Sequence, residues 1–251
     1  MTFAWEDAWQ RGATPWDRGS VAPGLAWWLG QHAEALLPRR LEDVPQSGSL
    51  ATPRVPHACD TRTTQGRALV PGAGHGHDVL ALAHAGWDVT AVDIAPTAVV
   101  ACAQRIATAG INVQARVICA DFFESPPKAE ALQEPFDLLF DYTFCCALPP
   151  ALRAAWAQTC ATRIKQGGRL LHLAFPLDER QRSAATLQSL SALVGTGRVP
   201  VDPGAGPPFV LDLHELATRL MPYFVLEDVA VEVPSAPDRR GREALLLWRR
   251  R

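Results

Sequence analysis

The residues best able to do chemistry fall between Arg67 and Tyr142. An apolar run, Arg67-Ala68-Leu69-Val70-Pro71, opens into Gly72-Ala73-Gly74-His75-Gly76-His77-Asp78. Glycines permit a tight turn and let a ligand approach bare backbone, and a helix starting there adds unpaired amide donors. A second run, Val89-Thr90-Ala91-Val92, closes on Asp93, and a third, Val113 to Ala120, closes on Asp121-Phe122-Phe123. A carboxylate at a strand end accepts hydrogen bonds from ribose hydroxyls, while an acid beside an aromatic ring suits a purine amino group and its face. The sequence therefore presents Gly72, Gly74 and Gly76, then Asp93, then Asp121 with Phe122, in the order that successive strand ends meet a nucleoside.

Which nucleoside is bound turns on the spacing. Dinucleotide sites use G-x-G-x-x-G, whereas this turn reads G-x-G-x-G. No basic residue lies between Gly72 and Asp78, and the Asp78 carboxylate near a helix start repels phosphate. A cofactor without phosphate fits better, and S-adenosyl-L-methionine, with its adenosine, sulfonium and amino-acid tail, meets that description. Trp5, Trp9 and Trp16 crowd the first 16 residues beside acidic neighbours. Such rings attract a cation by about 0.5–2 kcal/mol and exclude water, or else anchor the N-terminal arm on the core.

Methyl transfer from a sulfonium needs an in-line nucleophile and no protonation of its neutral leaving group. Alignment is worth up to about 7–11 kcal/mol, and a thiol with a pKa near 8.5 is a few per cent thiolate at neutral pH, so a dedicated base is optional. The chain carries no Ser/His/Asp triad signature. Tyr142, ending the run Phe136 to Tyr142, is the expected catalytic residue and a further cofactor contact. Asp141 either meets the cofactor's amino end or caps the turn. Cys145 and Cys146 read as buried side chains. His75 and His77 read as loop contacts, with no metal expected, because no further Cys/His set stands at zinc spacing. His172 and His214 read as structural.

The elements that must position these groups alternate. Strands are expected over Arg67–Pro71, 89–93, 113–120, 136–142 and 169–175, with a helix from Pro149-Pro150 through Thr162 and a stop at Gly167-Gly168. A helix around Leu211 to Met221 precedes Val225 to Val233 and Ala244 to Trp248, a closing antiparallel pair. This is a single-domain α/β, doubly wound, mostly parallel sheet.

Trp5-Glu6-Asp7-Ala8-Trp9, Thr14-Pro15-Trp16-Asp17-Arg18-Gly19, Ala68 to Asp78, Phe136 to Ala147 and Gly206-Pro207-Pro208-Phe209 together resemble the thiol and halide methyltransferases of the thiopurine methyltransferase family. The resemblance implies a seven-stranded, Rossmann-like class I fold with an N-terminal lid. It also implies Trp5, Trp9 and Trp16 over the cofactor and Gly72, Asp93, Asp121, Phe122 and Tyr142 around it. The expected reaction is direct methylation of a small thiol or sulfide, with halide as a side activity. Alternatives are a halide or thiopurine enzyme, and a regulator that binds the cofactor without turnover. Residues 1–36 read as the lid segment, 37–65 as an irregular insert or lid hinge, and 66–251 as the core. A second insert, 178–205, leaves a strand's carboxyl end and is placed to roof the acceptor pocket.

Composition narrows the partners. The 251 residues are 48% hydrophobic with a net charge of -2, enough for one core and without the basic stretch that nucleic acid requires. Six cysteines make no disulfide scaffold. With no secretory signal and no apolar span, a soluble, cytoplasmic monomer is expected, and Arg249-Arg250-Arg251 reads as a solvated tail.

Overall fold

The computed structural model describes residues 4–32, 64–178 and 204–251. The two expected inserts, 37–65 and 178–205, lie outside the described residues except at their margins. Among those residues seven strands form one sheet: β1 (Arg67–Pro71), β2 (Asp88–Asp93), β3 (Ala115–Cys119), β4 (Phe136–Tyr142), β5 (Ile164–Ala174), β6 (Phe224–Ala230) and β7 (Ala244–Arg250). Their spatial order is β3-β2-β1-β4-β5-β7-β6. The first five run parallel, and β7 pairs antiparallel with both β5 and β6. The chain therefore steps outward from β1 to β3, then crosses to β4 on the other side of β1. Such a reversal opens a crevice at the carboxyl ends of the strands.

Side-chain alternation along the strands supplies both layers of the core. Leu69, Leu139 and Leu170 point to one face, where Trp156 and Cys160 of a helix over Arg153–Arg163 cover them. Ala68, Val70, Leu138, Phe140 and Leu171 point to the other, beneath helices over Pro23–His32 and His77–His84. We label the helices α1 (Trp5–Gln10), α2 (Pro23–His32), α3 (His77–His84), α4 (Pro96–Thr108), α5 (Arg153–Arg163) and α6 (Leu213–Leu220). Helix α4 begins with proline in its first turn and buries Ala98, Cys102 and Ile106, one face of a 3.6-residue period. Asp212 caps α6 by accepting from the amides of His214 (2.9 Å) and Glu215 (3.1 Å). None of the helices among the described residues is long and apolar enough to cross a membrane.

Three expectations change. Gly167-Gly168 does not stop the region before the fifth strand; β5 starts at Ile164, and the register slips between Phe136↔Ile164 and Leu138↔Arg169 so that the glycines bulge outward. Strand β3 begins at Ala115 because the amides of Gln114 and Ala115 both turn back to the carbonyl of Ile111, leaving Val113 88% exposed. The terminal arginines are not a loose tail. Arg249 meets Glu227 at 2.7 Å across the β6–β7 pair, and Arg250 donates to the carbonyls of Ala161 (3.1 Å) and Tyr223 (2.8 Å).

Gly76 caps α3 with φ +78°, and a Cβ there would lie 2.6 Å from Cys102 Sγ. Gly76→Ala should lower the unfolding free energy by about 2–5 kcal/mol, combining a left-handed alanine with overpacking. In chemical denaturation, adding Cys102→Ala should recover part of that loss; a double variant no more stable than the single one would contradict the contact.

Candidate active site

A cavity of about 350 Å³ lies at the switch between β1 and β4. Gly72, Gly74 and Val70 form one wall, Phe140, Tyr142 and Thr143 another, and Trp9 and Trp16 a third. Asp93 shapes the first wall. Its Oδ2 accepts from the Gly74 amide at 3.0 Å and its Oδ1 from the Ala95 amide at 3.0 Å. Burial pushes its carboxyl above the ordinary value, against the pull of those amides. Gly74 itself holds φ +53° beneath Trp9, so the indole edge rests on bare backbone.

The opposite wall ends in a buried polar group of three. Tyr142 donates its phenolic hydrogen to Glu243 Oε1 at 2.6 Å and accepts from the Arg239 guanidinium. Arg239 also donates to the Trp16 carbonyl at 2.8 Å and lies 4.5 Å from the Phe175 ring centre. Arg239 and Glu243 are 4% and 1% exposed, so charge sits behind Tyr142 where water is excluded. Burial, with the Glu243 carboxylate adding to it, raises the phenol well above its usual pKa. The next residue, Thr143, has φ +60°, an uncommon conformation for a side chain that branches at Cβ.

The N-terminal segment closes the cavity through polar ties. Glu6 accepts from the Thr97 hydroxyl (2.6 Å) and amide (3.1 Å), docking α1 on the start of α4. Asp78 Oδ1 accepts from the Ala22 amide at 2.8 Å, joining the segment before α2 to the first turn of α3. Asp17 meets His75 Nδ1 at 2.8 Å and His77 Nε2 at 3.3 Å.

The expected site residues separate into two groups. Trp9, Trp16, Gly72, Gly74 and Tyr142 line the cavity, and Asp93 reaches it through Gly74. Trp5 stands behind Trp16, with ring centres 5.3 Å apart. Gly76 packs on Cys102. Asp121 is exposed and bonds the Phe123 amide at 2.9 Å, while Phe122 is buried against Phe144, 5.1 Å away. Neither lines this cavity. Of the two roles considered for Asp141, the structure shows the cap: it is buried, accepts from the Cys145 amide (3.1 Å) and Trp156 Nε1 (2.8 Å), and burial lifts its carboxyl to about 6. Cys145 and Cys146 are buried, with thiol pKa values raised by burial. His172 is buried against Trp156, and burial lowers it to about 3, so it is neutral at physiological pH. Sequence reasoning missed Arg239, Glu243 and Asp17. The first two lie 97 and 101 residues from Tyr142, in a turn that reads only as a hairpin connection.

The cavity suits a cofactor carrying a sulfonium and an ammonium but no phosphate. It offers bare glycine backbone, indole faces and the carboxylates of Asp17 and Asp78. Fold and site together define a class I S-adenosylmethionine-dependent methyltransferase. The profile of the thiopurine S-methyltransferase (TPMT) family matches residues 42–185. A protein of Arabidopsis thaliana described as probable thiol methyltransferase 2 is 32% identical over 98% of this chain and 84% of its own. Thiocyanate methyltransferase 1 of the same plant is 30% identical over the same shares. The structure of 1,6-didemethyltoxoflavin-N1-methyltransferase from Burkholderia thailandensis, solved with S-adenosylhomocysteine, shares the fold with a TM-score of 0.60 and 18% identity. It matches over 97% of this chain and 84% of that one. The chain belongs to the thiopurine S-methyltransferase family and is an S-adenosylmethionine-dependent S-methyltransferase.

Burial raises the Asp78 carboxyl from 3.8 to about 6, offset in part by the Ala22 amide and the Arg239 charge. The folded chain thus keeps a proton that the unfolded chain releases, and its stability falls as pH rises through that window. Asp78→Asn should reduce the slope of unfolding free energy between about pH 4 and 6, leaving the part that Asp141 contributes with the same sign. Equal slopes for variant and parent would contradict the burial of this carboxyl.

Proposed function

We propose that the enzyme methylates a small sulfur nucleophile, a thiol, sulfide or thiocyanate-like anion, by direct displacement, with halide as a secondary acceptor. The observation that carries this reading is a cavity walled by Trp9, Trp16 and bare glycine backbone, with Tyr142 fixed at its edge between Arg239 and Glu243. The Glu243 carboxylate balances that guanidinium, so the wall is rigid without a net charge, and a small thiol, already a few per cent thiolate at neutral pH, needs no dedicated base there. The names of the two plant relatives agree with it.

In this reading Gly72 and Gly74 present backbone to the cofactor, Asp93 receives its ribose hydroxyls, and Trp9 and Trp16 cover its sulfonium. Trp5 supports Trp16 from behind. Asp121 and Phe122 keep their assignment to the adenine end, beyond the cavity. When bound, S-adenosylmethionine supplies an electrophilic methyl carbon. Tyr142 bounds the space where the acceptor must stand. Its hydrogen is directed at Glu243, so its contribution is a rigid, correctly placed wall rather than a proton donated to the acceptor. Positioning of that kind is lost steeply with small displacements.

Two measurements test the proposal. Labelled S-adenosylmethionine should transfer methyl groups to bisulfide, small alkyl thiols or thiocyanate with higher kcat/KM than to iodide, an aromatic thiol or a thiopurine. Cofactor binding with no methylated product from any acceptor would instead identify a regulator. Tyr142→Phe removes the tie to Glu243 and should lower kcat on the order of ten- to a hundredfold with a smaller change in cofactor Kd. Equal losses in both would move Tyr142 from chemistry to cofactor grip.

A further inference from the structure

The N-terminal segment and the glycine turn meet at a cluster of three side chains with metal-ligating atoms. Asp17 belongs to the segment between α1 and α2, whereas His75 and His77 come from the turn after β1. One ligand atom from each lies within 4.8 Å of the other two. The pairs are close, 2.8 Å from His75 Nδ1 and 3.3 Å from His77 Nε2 to the carboxylate, yet neither nitrogen has a hydrogen-bond partner of acceptable geometry. Each ring nitrogen is thus buried against a carboxylate oxygen without bonding to it. A cation between them resolves that arrangement.

We propose that Asp17, His75 and His77 form a binding site for one divalent transition-metal ion, of the zinc, cobalt or nickel type, that clamps the N-terminal lid to the glycine turn. Two imidazole nitrogens and one carboxylate oxygen are a borderline donor set, suited to such ions rather than to magnesium or calcium. Burial and the Arg105 charge lower the pKa of His77, which keeps the ring in its neutral, ligating form. All three residues line the cavity, which gives an ion a path to the buried ring nitrogens. Because His75 and His77 also line the cofactor cavity, an ion held there pins the lid at the mouth of that cavity. This site rests on the geometry of the three side chains and not on the identity of the methyl acceptor.

The test uses the full chain, stripped by a chelator and free of cofactor, titrated with Co²⁺ at neutral to mildly alkaline pH. One Co²⁺ per chain should bind saturably, with visible d–d absorption and without the near-ultraviolet bands of cobalt bound to thiolate. His75→Phe keeps a ring against Trp9, whose centre lies 4.6 Å away, while removing the nitrogens. Asp17→Asn preserves shape and removes charge. Each should weaken Co²⁺ binding by at least about tenfold, the lower end of what even an outer partner contributes. Zn²⁺ should displace the Co²⁺ and raise Tm in the parent but in neither variant. Absence of saturable binding, thiolate bands, or parental affinity in both variants overturns the site.

Discussion

The Asp93 carboxylate accepts the Gly74 amide with one oxygen and the Ala95 amide with the other, and this pair of bonds ties the end of β2 to the turn after β1. A turn of bare backbone has little of its own to hold it, since glycine pays a high entropic cost on ordering. The carboxylate supplies the missing constraint from a neighbouring strand that is already fixed by its parallel register with β1. Once the turn is set, α3 has a defined start and Trp9 a flat surface to rest on. The cavity exists because that turn bends away from β4 at the point where the strand order reverses.

The N-terminal segment joins the apolar packing of α2 and its tryptophans to a set of polar ties. Glu6 with Thr97, Asp78 with the Ala22 amide, and Asp17 with the two histidines each join it to a different part of the nucleotide fold. Arg239 adds a fourth connection, from the β6–β7 turn to the Trp16 carbonyl. Bonds of this kind are directional and individually modest, so they fix where the tryptophans stand. Trp5, Trp9 and Trp16 then pack edge to face, which completes the apolar cover.

Behind Tyr142 the chain buries a cation and an anion and joins them through a neutral phenol. Removing either charge would leave the other unpaired in low dielectric, a penalty of several kcal/mol. The arrangement therefore resists rearrangement and holds Tyr142 in one place. It also brings the turn of the antiparallel β6–β7 pair up to the cavity wall, so that pair is more than an edge to the sheet.

The sequence alone determined the kind and order of the parallel strands, though not where β3 and β5 begin. β1 and β4 have the bounds that their apolar runs imply, and β2 differs by one residue, because short apolar runs closed by glycine or acid have few other ways to be buried. That Gly72, Gly74 and Tyr142 meet at one cavity, with Asp93 bonded to its wall, was legible for the same reason: a doubly wound sheet brings strand ends together, so position in the pattern implies position in space. The Asp121-Phe122 pair followed that rule in sequence but not in the cavity, since Phe122 turns into the core against Phe144. Contacts between distant segments left no periodic trace. Arg239 and Glu243 meet Tyr142, and Asp17 meets His75 and His77, only because the β6–β7 turn and the N-terminal segment fold back over the strand ends. Such pairings depend on the path of the chain through space, which no local spacing encodes, and only the tertiary structure decided them.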